Sequence, residues 1–334
     1  MVSTENKNVM CGVCHDEKVG LDSASEKSGE YSLLRCGKYG VGFWYPMKSP
    51  GSQWYESDYK YNFRNKNPHV VAGHDHKQFL LEAPRPGGRI LDIGMGTGNF
   101  LYHAQRLGYR VYGVDFDRGA IETAKDIFGL KEVYVGDVDF ALSKWGRSYF
   151  DVITLYQVLE HVDDPTKFLS NIKELLNDGG YLSISVPDRN FWDKMKPGDK
   201  PPRHFTRWDP ESLGRLLESV GYSVVTNKEL TVPFWYLIKR FHFWTSGIFS
   251  FGLVDKVSKN NEKKSVSADG KMDSRAAGVF TPRFVKFLAI LKDYILFSIP
   301  AIFLFVGLFL TGKHKLDLYV LARKDNSYDS KENL

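Results

Sequence analysis

The sequence predicts an α/β fold with a mainly parallel sheet of seven strands and helices on both faces. Two observations carry this. From residue 89 onward, short apolar runs alternate with helical patterns, the rhythm of strand–helix–strand units. The run RILDIGMGTGNF at 89–100 then reads as a strand, a glycine-rich turn and a helix start.

In order, strands are expected at 89–93, 110–114, 132–135, 150–155, 181–186, 222–226 and 316–323. Helices are expected at 99–107, 117–128, 165–176 and 210–220. Gly108, Gly129 and Gly179 stand where three of these should stop, because glycine accepts the left-handed backbone of a helix end. Asp164 with Pro165, and Asp209 with Pro210, read as N-cap and first helical residue. Before residue 87 the chain divides into a small unit at 1–45 and a lead-in arm at 46–86, with a short helix predicted at 73–81. The core is expected over 87–230, an insertion over 231–313, the last strand at 314–325 and a tail over 326–334.

Composition sets the outer bounds. The chain has 334 residues, 43% apolar and 25% charged, with a net charge of +5. That suits a folded globular protein. The Lys and Arg residues are scattered rather than gathered into a stripe with aromatics, so no nucleic-acid partner is expected. The first ten residues, MVSTENKNVM, lack the apolar run of a secretory leader, and the chain is expected in the cytoplasm.

The glycine turn is the first chemical signal. In a doubly wound sheet, ligands bind at the carboxyl ends of the strands. Glycine lets the backbone turn sharply and approach a ligand closely, and the following helix offers free N–H groups. A dinucleotide site prefers Gly-x-Gly-x-x-Gly, whereas here the glycines fall at 94, 96 and 98. Asp92 precedes them. A carboxylate there opposes a pyrophosphate but suits a ligand with a free ammonium group. Asp115 ends the second strand, where a carboxylate accepts ribose hydroxyls. Asp137 ends the third and faces the expected adenine edge.

Asp92, Gly94, Gly96, Gly98, Asp115 and the Gly136-Asp137 pair together resemble the motif series of class I S-adenosylmethionine-dependent methyltransferases. The run FDVITLYQVLEHVDDPTKFLSNIKELLNDGGYLSISVPD at 150–188 is similar to the next motifs of that family. The likeness covers 88–226 and the last strand. It implies a Rossmann-like methyltransferase fold, S-adenosylmethionine as cofactor, and Phe116, Val138 and Gln157 as further cofactor contacts. It also places an acceptor pocket beneath the loop PPRHFTRWDPESL at 201–213.

Methyl transfer asks mainly for alignment of nucleophile, methyl carbon and leaving sulfur, with a base where the nucleophile is a hydroxyl or ammonium. His161, beside Glu160 at the end of the fourth strand, and His204 in the 201–213 loop are the candidate bases. Glu160 is a metal ligand or an orienting carboxylate in this reading. In the loop, Arg203 stands where the family pattern has the first of two histidines. Arg203 and Arg207 are candidates for holding an anionic acceptor, and Trp192 and Trp208 for walling the pocket. The triplet His74-Asp75-His76 reads as a solvated helix start.

Cys11-x-x-Cys14 and Cys36-Gly-Lys-Tyr39 resemble the zinc ribbon that some methyltransferases carry at the N-terminus, with Tyr39 in place of the fourth cysteine. A structural zinc site takes four ligands. The segment therefore reads either as a zinc site completed by another residue, such as His15, or as a degenerate metal-free ribbon.

The insertion holds a nearly continuous apolar run at 294–310, close to the shortest membrane span. A single crossing would strand residues 316–323 across the membrane from their sheet. A return crossing at 233–253 would carry Lys239, Arg240 and His242 into hydrocarbon. The consistent expectation is peripheral membrane contact through 234–253 and 283–312, with a helical cap or a protein contact as the alternative. A lipid, prenylated quinone precursor or lipid-linked sugar follows as acceptor in the first case, and a soluble small molecule in the second. Methylation on O or N is expected over C. A silent scaffold with this fold and a nicotinamide oxidoreductase are the competing functions.

Overall fold

The structure is a computed structural model that describes residues 10–16, 19–21, 27–48, 59–189, 200–231, 234, 237–238, 298–311 and 315–326. The chain divides into two compact units, Met1–Thr231 with Lys315–Leu334, and Val232–His314.

The first unit contains a seven-stranded sheet. Its strands are β5 (Arg89–Ile93), β6 (Arg110–Asp115), β7 (Val133–Val135), β8 (Phe150–Tyr156), β9 (Leu176–Pro187), β11 (Tyr222–Thr231) and β12 (Lys315–Lys324). Their spatial order is β11-β12-β9-β8-β5-β6-β7. The five strands from β9 to β7 are parallel, and β12 runs antiparallel to both β9 and β11. The chain winds outward from β5 to β7 and then returns to lay β8 on the other side of β5. That reversal opens a crevice at the carboxyl ends of β5 and β8.

Five helices flank these strands. α3 (Asn99–Arg106) and α4 (Arg118–Phe128) follow β5 and β6; α5 (Val138–Trp145), α6 (Pro165–Leu175) and α7 (Pro210–Ser219) complete the set. Their ends follow local chemistry. The Asp117 side chain accepts from the N–H groups of Gly119 and Ala120 to start α4, and Gly129, with φ 67°, ends it. Asp209 and Ser212 cap α7 reciprocally, with Pro210 at its first position. The two faces of the sheet bury separate apolar clusters. One includes Leu91, Ile153, Ile184, Trp208 and Leu217; the other includes Ile90, Phe100, Ile121, Val152 and Tyr319.

Several boundaries differ from expectation. α6 ends at Leu175, one residue short of its expected end, and β9 begins at Leu176 rather than at 181, because Leu176 already pairs with Phe150. β11 continues to Thr231, held by its ladder with β12. α5 carried no clear sequence period, and it forms where Asp137 caps the backbone after β7.

The N-terminal segment makes a smaller antiparallel sheet of β1 (Val19–Leu21), β2 (Lys27–Ser28), β3 (Tyr31–Cys36) and β4 (Gly42–Tyr45). Its fifth strand, β10 (Thr206–Arg207), comes from the 201–213 loop and pairs with β4. Sequence pattern gave no sign of this pairing. Helices α1 (Tyr59–Lys66) and α2 (His74–Glu82) precede β5.

In the second unit, residues 298–310 form a helix, α8. Ile299, Phe303, Val306 and Leu310 are exposed on it, while Ala301 and Leu308 are buried. Among the described residues no helix is long and apolar enough to cross a membrane. The expected contact segment 234–253 and the part of 283–312 before residue 298 lie almost wholly outside the described residues.

Candidate active site

A cavity of about 520 Å³ opens at the carboxyl ends of β5, β6 and β8, a volume in the range of small-ligand sites. Gly94, Asp115, Phe116, Asp137, Val138, Gln157 and His161 all line it. The sequence-derived cofactor positions thus meet along one wall, although 63 residues separate Gly94 from Gln157 in the chain.

The turn after β5 depends on backbone freedom. Gly94 has φ +71°, and a Cβ there would meet Val158 Cγ2 at 2.5 Å. Asp115 braces the same turn: one oxygen accepts from Gly96 N at 2.7 Å and the other from Asp117 N at 2.9 Å. Burial raises the Asp115 pKa, against the neighbouring positive charge of Arg64. Asp137 accepts from Phe140 N at 2.9 Å, so it caps α5 while facing the cavity.

Asp92 is placed otherwise. It is buried beneath the turn and does not line the cavity. Its carboxyl accepts from Thr154 Oγ1 at 2.7 Å, and burial pushes its pKa up to about 8. Gly96 and Gly98 likewise shape the turn rather than the wall. Residues that sequence pattern did not mark include Arg64, Val158, Lys167, Phe168 and Asn171. Arg64 comes from α1, and its guanidinium lies 3.6 Å from Asp117. Nothing in the spacing of the lead-in arm signals that position.

Glu160 and His161 form a single 3-10 turn after β8. The Glu160 carbonyl accepts from Phe205 N at 2.7 Å, which draws the 201–213 loop onto the turn. His161 Nδ1 lies 2.6 Å from the Arg203 carbonyl. A carbonyl only accepts, so Nδ1 carries a proton, and Nε2 lies 3.9 Å from a Glu160 carboxylate oxygen. The rings of His161 and His204 meet edge to face, 4.7 Å apart. Donor atoms of Glu160, His161 and His204 all lie within 4.8 Å of one another, a carboxylate and two imidazoles that suit a divalent cation. Only His161 of the three lines the cavity itself.

Other expectations are corrected. Trp208 is fully buried in the core, and Arg207 is buried with its guanidinium 5.1 Å from the Trp44 ring centre. Neither lines the cavity: Arg207 lies in β10 against Trp44 of β4, and Trp208 packs in the core cluster that holds Leu213 and Leu217. Trp192 lies outside the described residues. The His74-Asp75-His76 triplet is no solvated helix start. Asp75 is buried and accepts from Ser185 Oγ at 2.8 Å. His74 Nε2 sits 2.6 Å from Asp317. Burial works against a charge on His74, but the Asp317 contact outweighs it and raises the pKa. His76 packs against Phe100 and Tyr156. The sequence could not show this, because the partners arrive from α3, β8, β9 and β12.

Comparison with known proteins agrees with this geometry. Residues 63–227 match the family model described as a methyltransferase domain. A ubiquinone biosynthesis O-methyltransferase of Ruegeria sp. (strain TM1040) is 35% identical over 172 residues, 47% of this chain and 69% of that protein. The protein of the same name from Maricaulis maris is 33% identical over 147 residues, 41% of this chain and 58% of that one. Among solved structures, the (4+2)-cyclase SpnF shares the fold, with a TM-score of 0.51 and 18% identity over 83% of this chain and 98% of that one. The glycine turn, the braced Asp115 and these relatives agree: the chain belongs to the S-adenosylmethionine-dependent methyltransferase family and uses S-adenosylmethionine as its cofactor.

Proposed function

We propose that the protein methylates a hydroxyl oxygen on a lipophilic aromatic acceptor. The observation that carries this reading is the likeness to O-methyltransferases named for ubiquinone biosynthesis. The row of apolar side chains exposed along α8 supports a membrane-borne acceptor and peripheral attachment of the protein at a membrane face.

In the proposed reaction the acceptor oxygen attacks the sulfonium methyl carbon as the carbon–sulfur bond breaks. Bound S-adenosylmethionine would supply the electrophilic methyl and a neutral thioether as leaving group. The hydroxyl proton passes to His161 Nε2, whose imidazolium the Glu160 carboxylate at 3.9 Å would stabilise. Asp115 and Asp137 hold the nucleoside, and the turn at Gly94 admits the amino-acid end. The convergence of Glu160, His161 and His204 favours a second reading, in which a divalent cation there orients two adjacent acceptor oxygens.

The test is transfer of labelled methyl from S-adenosylmethionine to a catechol bearing a long alkyl chain in detergent micelles. Methylation of this catechol, with weaker turnover of the tailless compound, is expected. His161→Gln should lower kcat by about 10²- to 10⁴-fold with cofactor affinity unchanged. Activity lost to a chelator and restored by a divalent cation selects the second reading. Cofactor-binding protein that methylates an alkylamine but no catechol sinks the O-methylation proposal.

A further inference from the structure

Cys11 and Cys14, in the turn before β1, meet Cys36 at the end of β3, and none of them forms a disulfide. A donor atom from each lies within 4.8 Å of the others, and the sulfurs of Cys14 and Cys36 are 3.4 Å apart. Tetrahedral zinc with bonds of about 2.3 Å keeps its sulfurs about 3.8 Å apart. Small adjustments therefore bring the three thiols onto one ion.

The backbone around them is arranged in two like turns. Cys11 O accepts from His15 N, and Cys36 O from Gly40 N, each at 2.9 Å and each four residues on. Each turn also aims an N–H at its leading sulfur: Val13 N at Cys11 and Tyr39 N at Cys36, both at 3.4 Å. Donors of this kind favour a thiolate over a thiol. Cys14 and Tyr39 occupy corresponding corners of the two turns. His15 is turned elsewhere, with Nε2 3.2 Å from Asp164. Cys14 is the partly exposed corner, so solvent reaches the cluster from its side.

The cluster connects to both sides of the active-site region. β3, which ends at Cys36, pairs with β4, and β4 pairs with β10. Trp44 N donates to Phe205 O at 2.8 Å, and Phe205 N donates to Glu160 O. This chain of backbone bonds fixes the strand that follows His204. From the other turn, Val13 O accepts from Thr166 Oγ1. Thr166 belongs to α6, whose next two residues, Lys167 and Phe168, line the cavity.

We propose that Cys11, Cys14 and Cys36 bind one zinc ion as three thiolates, with a solvent molecule as fourth ligand, and that this ion holds the His204 loop in place. Soft thiolates select zinc over hard cations. The proposal is independent of the acceptor's identity.

The test measures zinc by mass spectrometry in full-length protein purified from reducing, chelator-free buffer. About one zinc ion per chain is expected, falling at least about tenfold in Cys14→Ser. Stripping the wild-type protein with a chelator should raise amide exchange at 11–16 and 203–207, leave 89–98 protected, and be reversed by added zinc; Cys14→Ser, which leaves Glu160, His161 and His204 intact, should show the same rise without a chelator. Folded wild-type protein that carries no zinc and takes up none overturns the site. Zinc at one per chain, with exchange at 203–207 unchanged on stripping, overturns the link to the loop; so does exchange that rises equally over 89–98.

Discussion

Asp92 and Asp115 end adjacent strands and do different work. Asp115 faces the cavity with both oxygens already taking backbone N–H groups. Asp115→Ala removes that brace together with the expected ribose contact. Cofactor affinity measured by calorimetry should fall at least about tenfold, the scale of a lost charged hydrogen bond. Gly94→Val should abolish binding outright, because its Cβ meets Val158 and its φ of +71° opposes a branched side chain. Tight binding by either variant would remove the site from this crevice. Asp92 makes a prediction about stability. Its folded-state pKa of about 8 exceeds the ordinary carboxylate value. Between those two values the folded chain holds a proton that the unfolded chain has released, so stability falls as pH rises from about 4 to about 8. Asp92→Asn removes this penalty. Its Tm relative to wild type should climb between pH 5 and pH 8, and parallel curves would show that Asp92 is ionised when folded. Sequence spacing marked Asp92 as special but could not separate lying under the turn from lying in it, since burial is set by β8 and Thr154.

At the level of elements, local rules did most of the work where caps are strong. α7 begins where Asp209, Pro210 and Ser212 say it should. Asp209 also pairs with Arg189 at 2.8 Å. Asp209→Ala should cost about 1 kcal/mol in urea unfolding, the usual worth of an N-cap; a change below about 0.3 kcal/mol would mean that tertiary packing alone holds the helix start. Local rules failed where a neighbouring strand competes. The strand expected at 181–186 begins at Leu176, where pairing with Phe150 of β8 draws the chain into the sheet directly after α6. They failed again at β10, two residues with no strand pattern of their own that are held by β4.

For the whole molecule, the division into two units leaves the membrane proposal resting on α8. Its exposed positions 299, 302, 303, 306 and 310 recur at helical spacing. Phe303→Asp with Leu310→Asp places charge on the two most exposed of them, at 75% and 80%. The double variant should lose most of its co-sedimentation with anionic phospholipid vesicles while binding S-adenosylmethionine as wild type does. Equal sedimentation of both proteins would rule out this helix as the contact.

The sequence alone determined the α/β class, the cofactor turn and the caps of several helices. Each is written in neighbouring residues: an apolar period, glycines within a few positions, or an acid before a proline. The tertiary structure decided what depends on partners far along the chain. It buried Asp92 against β8, brought Asp75 to Ser185 and His74 to Asp317, and joined the three-thiol cluster to the His204 loop. Those contacts span from 62 to 243 residues of sequence, a separation over which local pattern carries no register, so only the folded sheet order could fix them.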